Sequence, residues 1–305
     1  MPLTVSDIFD LNTVYNPEYS YSLPRQVLVG FGRGLGFPDN STEYTEAELE
    51  ALQYDVLTIW NRIKSKEIEE AKEIILTAGA PGVGKTTVMR RMWENQPNFA
   101  YICPDDVCLK EMKSTYGEMV AKDGSFQGLK SAYNKWRAAS NFAHHLITAQ
   151  LVRENKNFFF GTTASGDKTY LFLDFLKKRG YNIRILHVSA PDQVRFDSIA
   201  KRDNAFVQTS DQDVLNKQLM VHERIQDTFL KYASRIDFYF RPLTEKGPEQ
   251  EAILAATWIS QEKGPARLEI INQKAYEEMR NLHDAVCENM KKPELKWANT
   301  VDKTL

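Results

Sequence analysis

The chain has few of the features that mark secreted, zinc-binding or membrane-spanning proteins. Its 305 residues include only three cysteines, and none forms the C-x-x-C spacing of a zinc site or the even set of a disulfide framework. The amino terminus lacks a basic stretch followed by an apolar run, and no apolar run is long enough to span a bilayer. We therefore expect a protein without signal peptide or membrane contact, located in the cytoplasm of the producing cell or of a target cell.

An excess of positive charge is also missing. The chain has 39 Lys and Arg residues against 41 Asp and Glu residues, which gives a net charge of -2. Because nucleic-acid binding requires a basic surface, this balance argues against nucleic acid as an obligatory partner, although a local basic groove would not show in the count.

Apolar segments alternate with amphipathic segments from Glu73 onward. Runs rich in β-branched and aromatic residues predict five buried strands, at 74–76, 99–103, 158–160, 183–188 and 236–240. An amphipathic stretch separates each strand from the next, so the connections are crossovers and the sheet is predicted to be parallel. The expected fold class is α/β, a three-layer α/β/α sandwich with a mainly parallel five-stranded sheet and an N-terminal helical extension.

Three regions are predicted along the chain. Residues 1–71 form an N-terminal arm and a helix, which starts at a capping-box pair of Thr45 and Glu48. Residues 72–265 form the main domain. Residues 266–305 form a C-terminal helix, from about Arg267 to Met290, and a tail that packs on the main domain.

A glycine-rich segment between the first strand and a helix has the pattern G-x-x-x-x-G-K-T. Its glycines let backbone N–H groups converge on a phosphate, and the following helix directs its positive end at the same anion. Lys85 is predicted to reach the β- and γ-phosphates, and Thr86 to bind Mg²⁺ through its hydroxyl. The pattern predicts a P-loop NTPase fold that binds ATP with Mg²⁺, with contacts from Gly79, Ala80, Pro81, Gly82, Val83, Gly84, Lys85, Thr86 and Thr87.

Two carboxylates follow the second predicted strand. Asp105 and Asp106 lie at the carboxyl edge of the sheet, where ligands bind in such folds. A carboxylate there can accept the proton of an acceptor hydroxyl or hold the metal ion, whereas a helix N-cap is the competing interpretation, above all for Asp106. Asp105 is the candidate general base and metal contact, and Asp106 is a candidate substrate contact.

Hydroxyl and cationic residues follow the third and fourth strands. Thr162 and Thr163 are candidate substrate contacts, with helix capping as the alternative. Arg195 and Arg202 lie seven residues apart, hence on one face of a predicted helix. Cations offset the charge of a transferring phosphoryl group, although solvated surface residues are the alternative. Arg202 is the candidate catalytic cation, and Arg195 is a candidate substrate contact.

From Glu73 to Pro242 the chain resembles the zeta toxin family of P-loop kinases. The resemblance is carried in order by Gly79–Thr86, Ile102–Asp105, the Gly161–Ser165 turn, Lys178–Tyr181, Ser189–Pro191 and Arg202. It implies a kinase that phosphorylates a hydroxyl of UDP-N-acetylglucosamine or a related nucleotide. By the same resemblance, Lys85 and Thr86 hold ATP and Mg²⁺, Asp105 is the general base, Thr163 lies in the acceptor pocket and Arg202 contacts the phosphates. An inhibitory antitoxin-like protein is an implied partner, and because a further relative phosphorylates NAD, dinucleotides are also candidate acceptors.

Two departures from the family pattern concern the substrate. Gly161 stands where the family's third strand ends in Glu, a residue associated with the acceptor sugar. The resemblance also implies a second arginine a little beyond Arg202, and the sequence has no cation there, so Arg195 and Lys217 are the candidates to replace it. The predicted function is phosphorylation of a nucleotide sugar or NAD-like nucleotide. The alternatives are a polynucleotide or nucleoside kinase, a non-catalytic nucleotide-dependent switch and an inactive kinase.

Overall fold

The computed structural model describes residues 44–167, 169–203, 210–244, 247–248 and 251–305. The chain divides into two compact units. Of the described residues, unit 1 comprises 44–72 and 96–160, and unit 2 comprises 73–95 and those from 161 to 305. The predicted domain limits at 71/72 and 265/266 stay a prediction, and the predicted arm, residues 1–43, lies outside the described residues.

The longer helices, in chain order, are α1 (Glu46–Lys64), α2 (Lys85–Glu94), α3 (Phe126–Arg153), α4 (Thr169–Lys178), α5 (Asp192–Asp203), α6 (Asp211–Arg224) and α7 (Gln273–Asn289). The strands are β1 (Glu73–Ala78), β2 (Ala100–Ile102), β3 (Phe158–Phe160), β4 (Asn182–Ser189), β5 (Arg235–Phe240), β6 (Leu243–Thr244), β7 (Gly247–Pro248), β8 (Ile253–Ile259) and β9 (Arg267–Ile270). Shorter helical segments are Pro104–Cys108, Leu109–Glu111, Lys113–Gly117, Glu118–Lys122, Ile225–Phe229, Leu230–Tyr232, Pro293–Leu295, Trp297–Thr300 and Asp302–Thr304. No helix in these ranges is long and apolar enough to cross a membrane.

Helix α1 begins with the predicted capping box. Thr45 Oγ1 accepts a hydrogen bond from Glu48 N at 3.3 Å, and Glu48 Oε2 accepts one from Thr45 N at 2.9 Å. Leu52, Val56 and Ile59 on this helix have no exposed surface. The helix therefore belongs to the core of unit 1. Burial of these aliphatic side chains removes apolar surface from water and so stabilises the folded state.

Unit 1 contains two parallel strands, β2 and β3, with Tyr101 opposite Phe159. The long helix α3 packs against the Pro104–Cys108 segment that follows β2. One bond that fixes this contact is donated by Ser140 Oγ of α3 to the backbone oxygen of Pro104, at 2.6 Å. The polypeptide immediately after β2 is therefore positioned by α3.

Unit 2 contains five strands in the order β1-β4-β5-β8-β9, and a separate hairpin of β6 and β7. The first three are parallel, so their carboxyl ends lie at one edge, as the sequence predicts. Strands β8 and β9 run antiparallel to their neighbours. Helix α2 packs on β1 and β4, and α7 packs on β5 and β8.

The strand count predicted from the sequence is wrong, because the two units together contribute seven sheet strands in place of five. Strand β8 contains two successive alanines, Ala255 and Ala256, both fully buried, and such small residues give a weak strand signal. Residues Arg267–Ile270, predicted as the start of the last helix, form β9 instead. The helix begins after Asn272, whose side chain accepts a hydrogen bond from Ala275 N at 3.0 Å.

The C-terminal tail is held in place by Trp297. Its indole N–H donates to the Tyr276 hydroxyl at 3.0 Å, and its ring centroid lies 5.0 Å from that of Phe238 in β5. The side chain is 1% exposed. The segment after Pro293 therefore contributes to the core of unit 2.

Candidate functional site

The predicted P-loop connects β1 to α2 within unit 2. Three of its glycines have positive φ angles, 145° at Gly79, 84° at Gly82 and 98° at Gly84. Residues other than glycine rarely adopt these backbone angles. The loop conformation therefore depends on glycine at each of these positions.

Two of these glycines are also required by close backbone contacts. A Cβ on Gly79 would lie 2.3 Å from the backbone oxygen of Val188, and a Cβ on Gly82 would lie 2.4 Å from that of Arg195. The loop therefore packs directly on the end of β4 and on α5. Gly84 differs, since the nearest atom to its Cβ position is Arg241 Cδ at 3.8 Å.

The beginning of α2 has the donors of an anion site. Gly84 is the N-cap and has no side chain to bond the first-turn N–H groups, which carry the positive end of the helix dipole. Lys85 Nζ donates to the Ala80 oxygen at 2.9 Å, so this side chain folds over the loop. Ala80 and Val83 are buried, Pro81 and Thr86 are half-buried and Thr87 is exposed.

This donor set fits a nucleotide phosphate with a divalent cation. Backbone N–H groups and the Lys85 ammonium are suited to bind phosphate oxygens, and the Thr86 hydroxyl is an oxygen ligand of the kind that Mg²⁺ prefers. The described residues contain no cluster of three His, Cys, Asp or Glu side chains suited to a metal ion. Mg²⁺ in nucleotide sites is generally bound by one or two protein groups together with substrate phosphates.

The turn after β3 is tied to the P-loop strand. Thr77 Oγ1 accepts from Thr162 N at 2.9 Å and donates to Thr162 O at 2.7 Å. Gly79 N donates to Thr163 O at 3.1 Å. The Thr162 hydroxyl accepts from Ala164 N at 3.1 Å, and the Thr163 hydroxyl lies 3.1 Å from that of Ser165. Both candidate substrate contacts are therefore bonded within the turn, which they stabilise.

In unit 1 the two neighbouring carboxylates have different surroundings. Asp106 is 8% exposed and accepts hydrogen bonds from Tyr101 Oη at 2.7 Å and Lys110 Nζ at 3.0 Å. The Asp105 side chain is 42% exposed. Asp106 is accordingly a structural carboxylate, and Asp105 is the one that solutes can reach.

Asp105 has a cationic neighbour that the sequence analysis missed. The Nη2 atom of Arg137, a residue of α3, lies 3.1 Å from the Oδ1 atom of Asp105. Its Nε donates to Tyr133 Oη at 3.0 Å, and its Nη1 donates to Asn141 Oδ1 at 2.6 Å. Burial, the largest single effect, lowers the pKa of Arg137, but the charge of Asp105 together with the contributions of Tyr133 and Cys103 gives a net raised pKa. The spacing of Tyr133, Arg137 and Asn141, four residues apart on one helix, is the only sequence signal that points to this group.

Two of the predicted cations of unit 2, Arg195 and Lys217, bond protein groups. Arg195 is fully buried, and its guanidinium bonds Val214 O at 3.1 Å, Asp192 Oδ1 at 2.6 Å and Gln218 Oε1 at 2.7 Å. It joins α5 to α6, so we do not retain it as a substrate contact. Lys217 pairs with Asp213 at 2.6 Å on the same helix. Arg202 belongs to α5, but its side chain lies outside the described residues.

A buried histidine cluster lies behind the P-loop in unit 2. The rings of His187 and His222 are 6.2 Å apart, and those of His222 and His283 are 4.7 Å apart. A small cavity lined by Gly79 and Ala80 of the loop also touches His187 and His222. Burial, helped by His283, lowers the pKa of His187 to about 3, so the ring is neutral near pH 7.

Comparison with protein families identifies the domain that carries the loop. Residues 74–225 match the sequence profile of the AAA domain family. This stretch starts in β1 and contains the glycine-rich loop and α2, and it is a P-loop domain. No curated protein matches the chain.

Solved structures align with most of the chain, and two of them have TM-scores above 0.5. A chain of the AvrRxo1-ORF1:-ORF2 complex crystallised with ATP is 14% identical with a TM-score of 0.52, over 93% of this chain and 92% of that chain. A chain of the same complex with sulphate ions is 12% identical with a TM-score of 0.52, over 100% and 95%. A chain of the PezAT toxin-antitoxin system of Streptococcus pneumoniae is 17% identical with a TM-score of 0.49, over 81% and 97%. The predicted P-loop α/β fold is confirmed.

Proposed function

We propose that the protein is a kinase that transfers the γ-phosphate of ATP to a hydroxyl group of a small nucleotide-type acceptor. The observation that carries the proposal is the P-loop geometry of unit 2. Gly79 and Gly82 hold the loop against the neighbouring backbone, and Lys85 with the first turn of α2 supplies the positive charge. Such a site binds the phosphate chain of a nucleotide.

The residues of the loop have separate roles in this proposal. Lys85 exchanges its bond to the Ala80 oxygen for the β- and γ-phosphates, and Thr86 binds Mg²⁺ through its hydroxyl. Their charges offset the negative charge that spreads over the phosphoryl oxygens during transfer. Arg202 is proposed to contribute a further cation, on the strength of the family resemblance.

Asp105 is the proposed general base. It accepts the proton of the acceptor hydroxyl as that oxygen forms a bond to the γ-phosphorus, while the bond to the β–γ bridging oxygen breaks and ADP leaves. The exposure of its side chain and its ion pair with Arg137 support this role. The ion pair limits the orientation of the carboxylate, as the alignment of a base with its proton requires.

The acceptor that we propose is a nucleotide sugar or an NAD-like nucleotide. The resemblance to the zeta toxin family supports this class, and Gly161 in place of the family Glu is the reason to include both acceptors. An inhibitory protein partner belongs to the same proposal. It is prompted by the AvrRxo1-ORF1:-ORF2 complex, and purification of the chain with the product of an adjacent gene would test it.

The experiment is transfer of label from γ-labelled ATP into separate pools of nucleotide sugars, NAD, nucleosides and oligonucleotides, with wild type and Asp105→Asn. We expect label in one nucleotide pool, which the variant loses while it still binds ATP. Label in the oligonucleotide pool would identify a polynucleotide kinase. ATP binding without label in any pool would contradict the kinase proposal and favour a nucleotide-dependent switch.

A further inference from the structure

Arg241 is a second arginine at the P-loop that the sequence analysis did not consider. It follows β5 directly, and its backbone N–H donates to the Ser189 oxygen at the end of β4, at 2.9 Å. Because β1, β4 and β5 are parallel, the residues after them lie at the same edge of the unit 2 sheet. Arg241 and the P-loop therefore share this edge.

The side chain of Arg241 extends over the loop. A Cβ on Gly84 would lie 3.8 Å from Arg241 Cδ and 3.9 Å from Arg241 Nη1. Gly84 is the N-cap of α2, so the guanidinium lies beside the first-turn N–H groups that form the anion site. The guanidinium also donates from Nη1 to Ser198 Oγ of α5, at 2.8 Å, which holds it in this orientation.

The surroundings of the Arg241 guanidinium would favour a phosphate group in the loop. The positive end of the α2 dipole repels a guanidinium, and partial burial lowers the pKa of Arg241. A phosphate group in the loop would reverse both effects, because it attracts the guanidinium and the helix end together. Arg195 and Lys217, the cations considered from the sequence, bond protein groups in α5 and α6 instead.

We propose that Arg241 binds the phosphate chain of the nucleotide held by the P-loop. The proposal rests on the proposed function only for the presence of a nucleotide at the loop, and it requires no acceptor. Arg241 would be a phosphate-contacting cation in addition to Lys85 and the proposed Arg202, supplied after β5. An arginine is suited to this role because its fork of N–H donors can bond two phosphate oxygens at once.

The test is the affinity of the full chain for ATP and for tripolyphosphate, measured by calorimetry with Mg²⁺ for wild type, Arg241→Gln and Arg241→Lys. We expect Arg241→Gln to lower the affinity for both ligands by about tenfold or more, and Arg241→Lys to lower it less. Arg267→Gln is the control for charge, because Arg267 lies in β9 and pairs with Glu269. Affinities of this control should stay within about twofold of wild type.

The outcomes separate this proposal from the kinase proposal. A loss confined to ATP would mean that Arg241 contacts the base, and unchanged affinities would mean that it contacts no ligand; either result overturns the proposal. If Arg241→Gln does not fold, Arg241→Met, which keeps the aliphatic stem, replaces it in the same comparison. If wild type binds ATP and labels no acceptor, the kinase proposal fails while Arg241 is still judged by the affinities. If wild type binds neither ligand, both proposals fail.

Discussion

Arg137 Nη2 lies 3.1 Å from Asp105 Oδ1, and this ion pair links α3 to the turn that follows β2. The same helix holds the turn a second time through the bond from Ser140 Oγ to the Pro104 oxygen. Two contacts from one rigid helix therefore set the position of the carboxylate. The arrangement distinguishes Asp105 from the adjacent Asp106, which is bonded to Tyr101 and Lys110.

The two adjacent carboxylates should respond differently to the same substitution. Asp105→Asn should abolish phosphoryl transfer and leave ATP affinity and thermal stability close to those of wild type, because its side chain is exposed. Asp106→Asn should lower the free energy of unfolding by about 1–3 kcal/mol, since it weakens two bonds of a buried group. Transfer assays and urea unfolding of both variants check this. Loss of stability in Asp105→Asn with full activity would reverse the assignment.

Arg137 should act on catalysis through Asp105. We expect Arg137→Met to lower kcat by about tenfold while KM for ATP changes less than about twofold, because a misaligned base slows proton transfer without altering nucleotide binding. Arg137→Lys should recover part of kcat. Arg153→Met, at the exposed end of the same helix, is the control and should resemble wild type. Equal changes in kcat and in KM for ATP would argue against a positioning role.

The glycines of the loop should differ in their tolerance of alanine. Gly82→Ala adds a methyl group 2.4 Å from the Arg195 oxygen at a positive φ, and we expect about 3 kcal/mol or more of destabilisation. Gly264→Ala is a matched control, with φ of 101° and no backbone atom among the close neighbours of its Cβ position. It should cost only the conformational strain of about 1–2 kcal/mol. Urea unfolding measures both, and equal costs would contradict the close packing of the loop on α5.

Stability should fall on acidification because of the buried histidines. The unfolded pKa of histidine is about 6.5, whereas burial and the neighbouring His283 lower that of folded His187 to about 3. The unfolded chain therefore binds the additional proton between these values. The stability contributed by the neutral ring is fully present above about pH 6.5 and is lost as the pH falls towards 3.

His187→Leu is the variant that tests this effect. The free energy of unfolding of wild type should fall more steeply between pH 6 and pH 4 than that of the variant, by up to about 1.4 kcal/mol per pH unit. The difference in slope removes the contributions of groups that His187 does not affect, such as distant carboxylates, whereas any change at His222, whose pKa His187 helps to lower, stays part of the measured effect. Parallel pH profiles would show that His187 does not contribute.

Much of the fold followed from local patterns. The P-loop, the capping box at Thr45 and the five strands from β1 to β5 were predicted because each signal lies in one short stretch of sequence. Strands β8 and β9 were not predicted, because the buried alanines of β8 and the short edge strand β9 show no strong alternation of apolar and polar residues. The candidate site divides in the same way. Lys85 and Asp105 are predicted from a motif and from the end of a strand, and their roles stay predictions, whereas the prediction of Arg195 as a substrate contact conflicts with its burial between α5 and α6.

The amino-acid sequence by itself determined that this protein has an α/β fold with a phosphate-binding loop, because that loop is one continuous segment whose glycines and lysine act on their own backbone. Only the tertiary structure decided which groups surround each arginine. Arg137 meets Asp105, Arg241 lies over Gly84 and Arg195 is enclosed by Asp192, Val214 and Gln218. The physical reason is that the role of a long cationic side chain depends on its neighbours, and most of these neighbours come from distant parts of the chain.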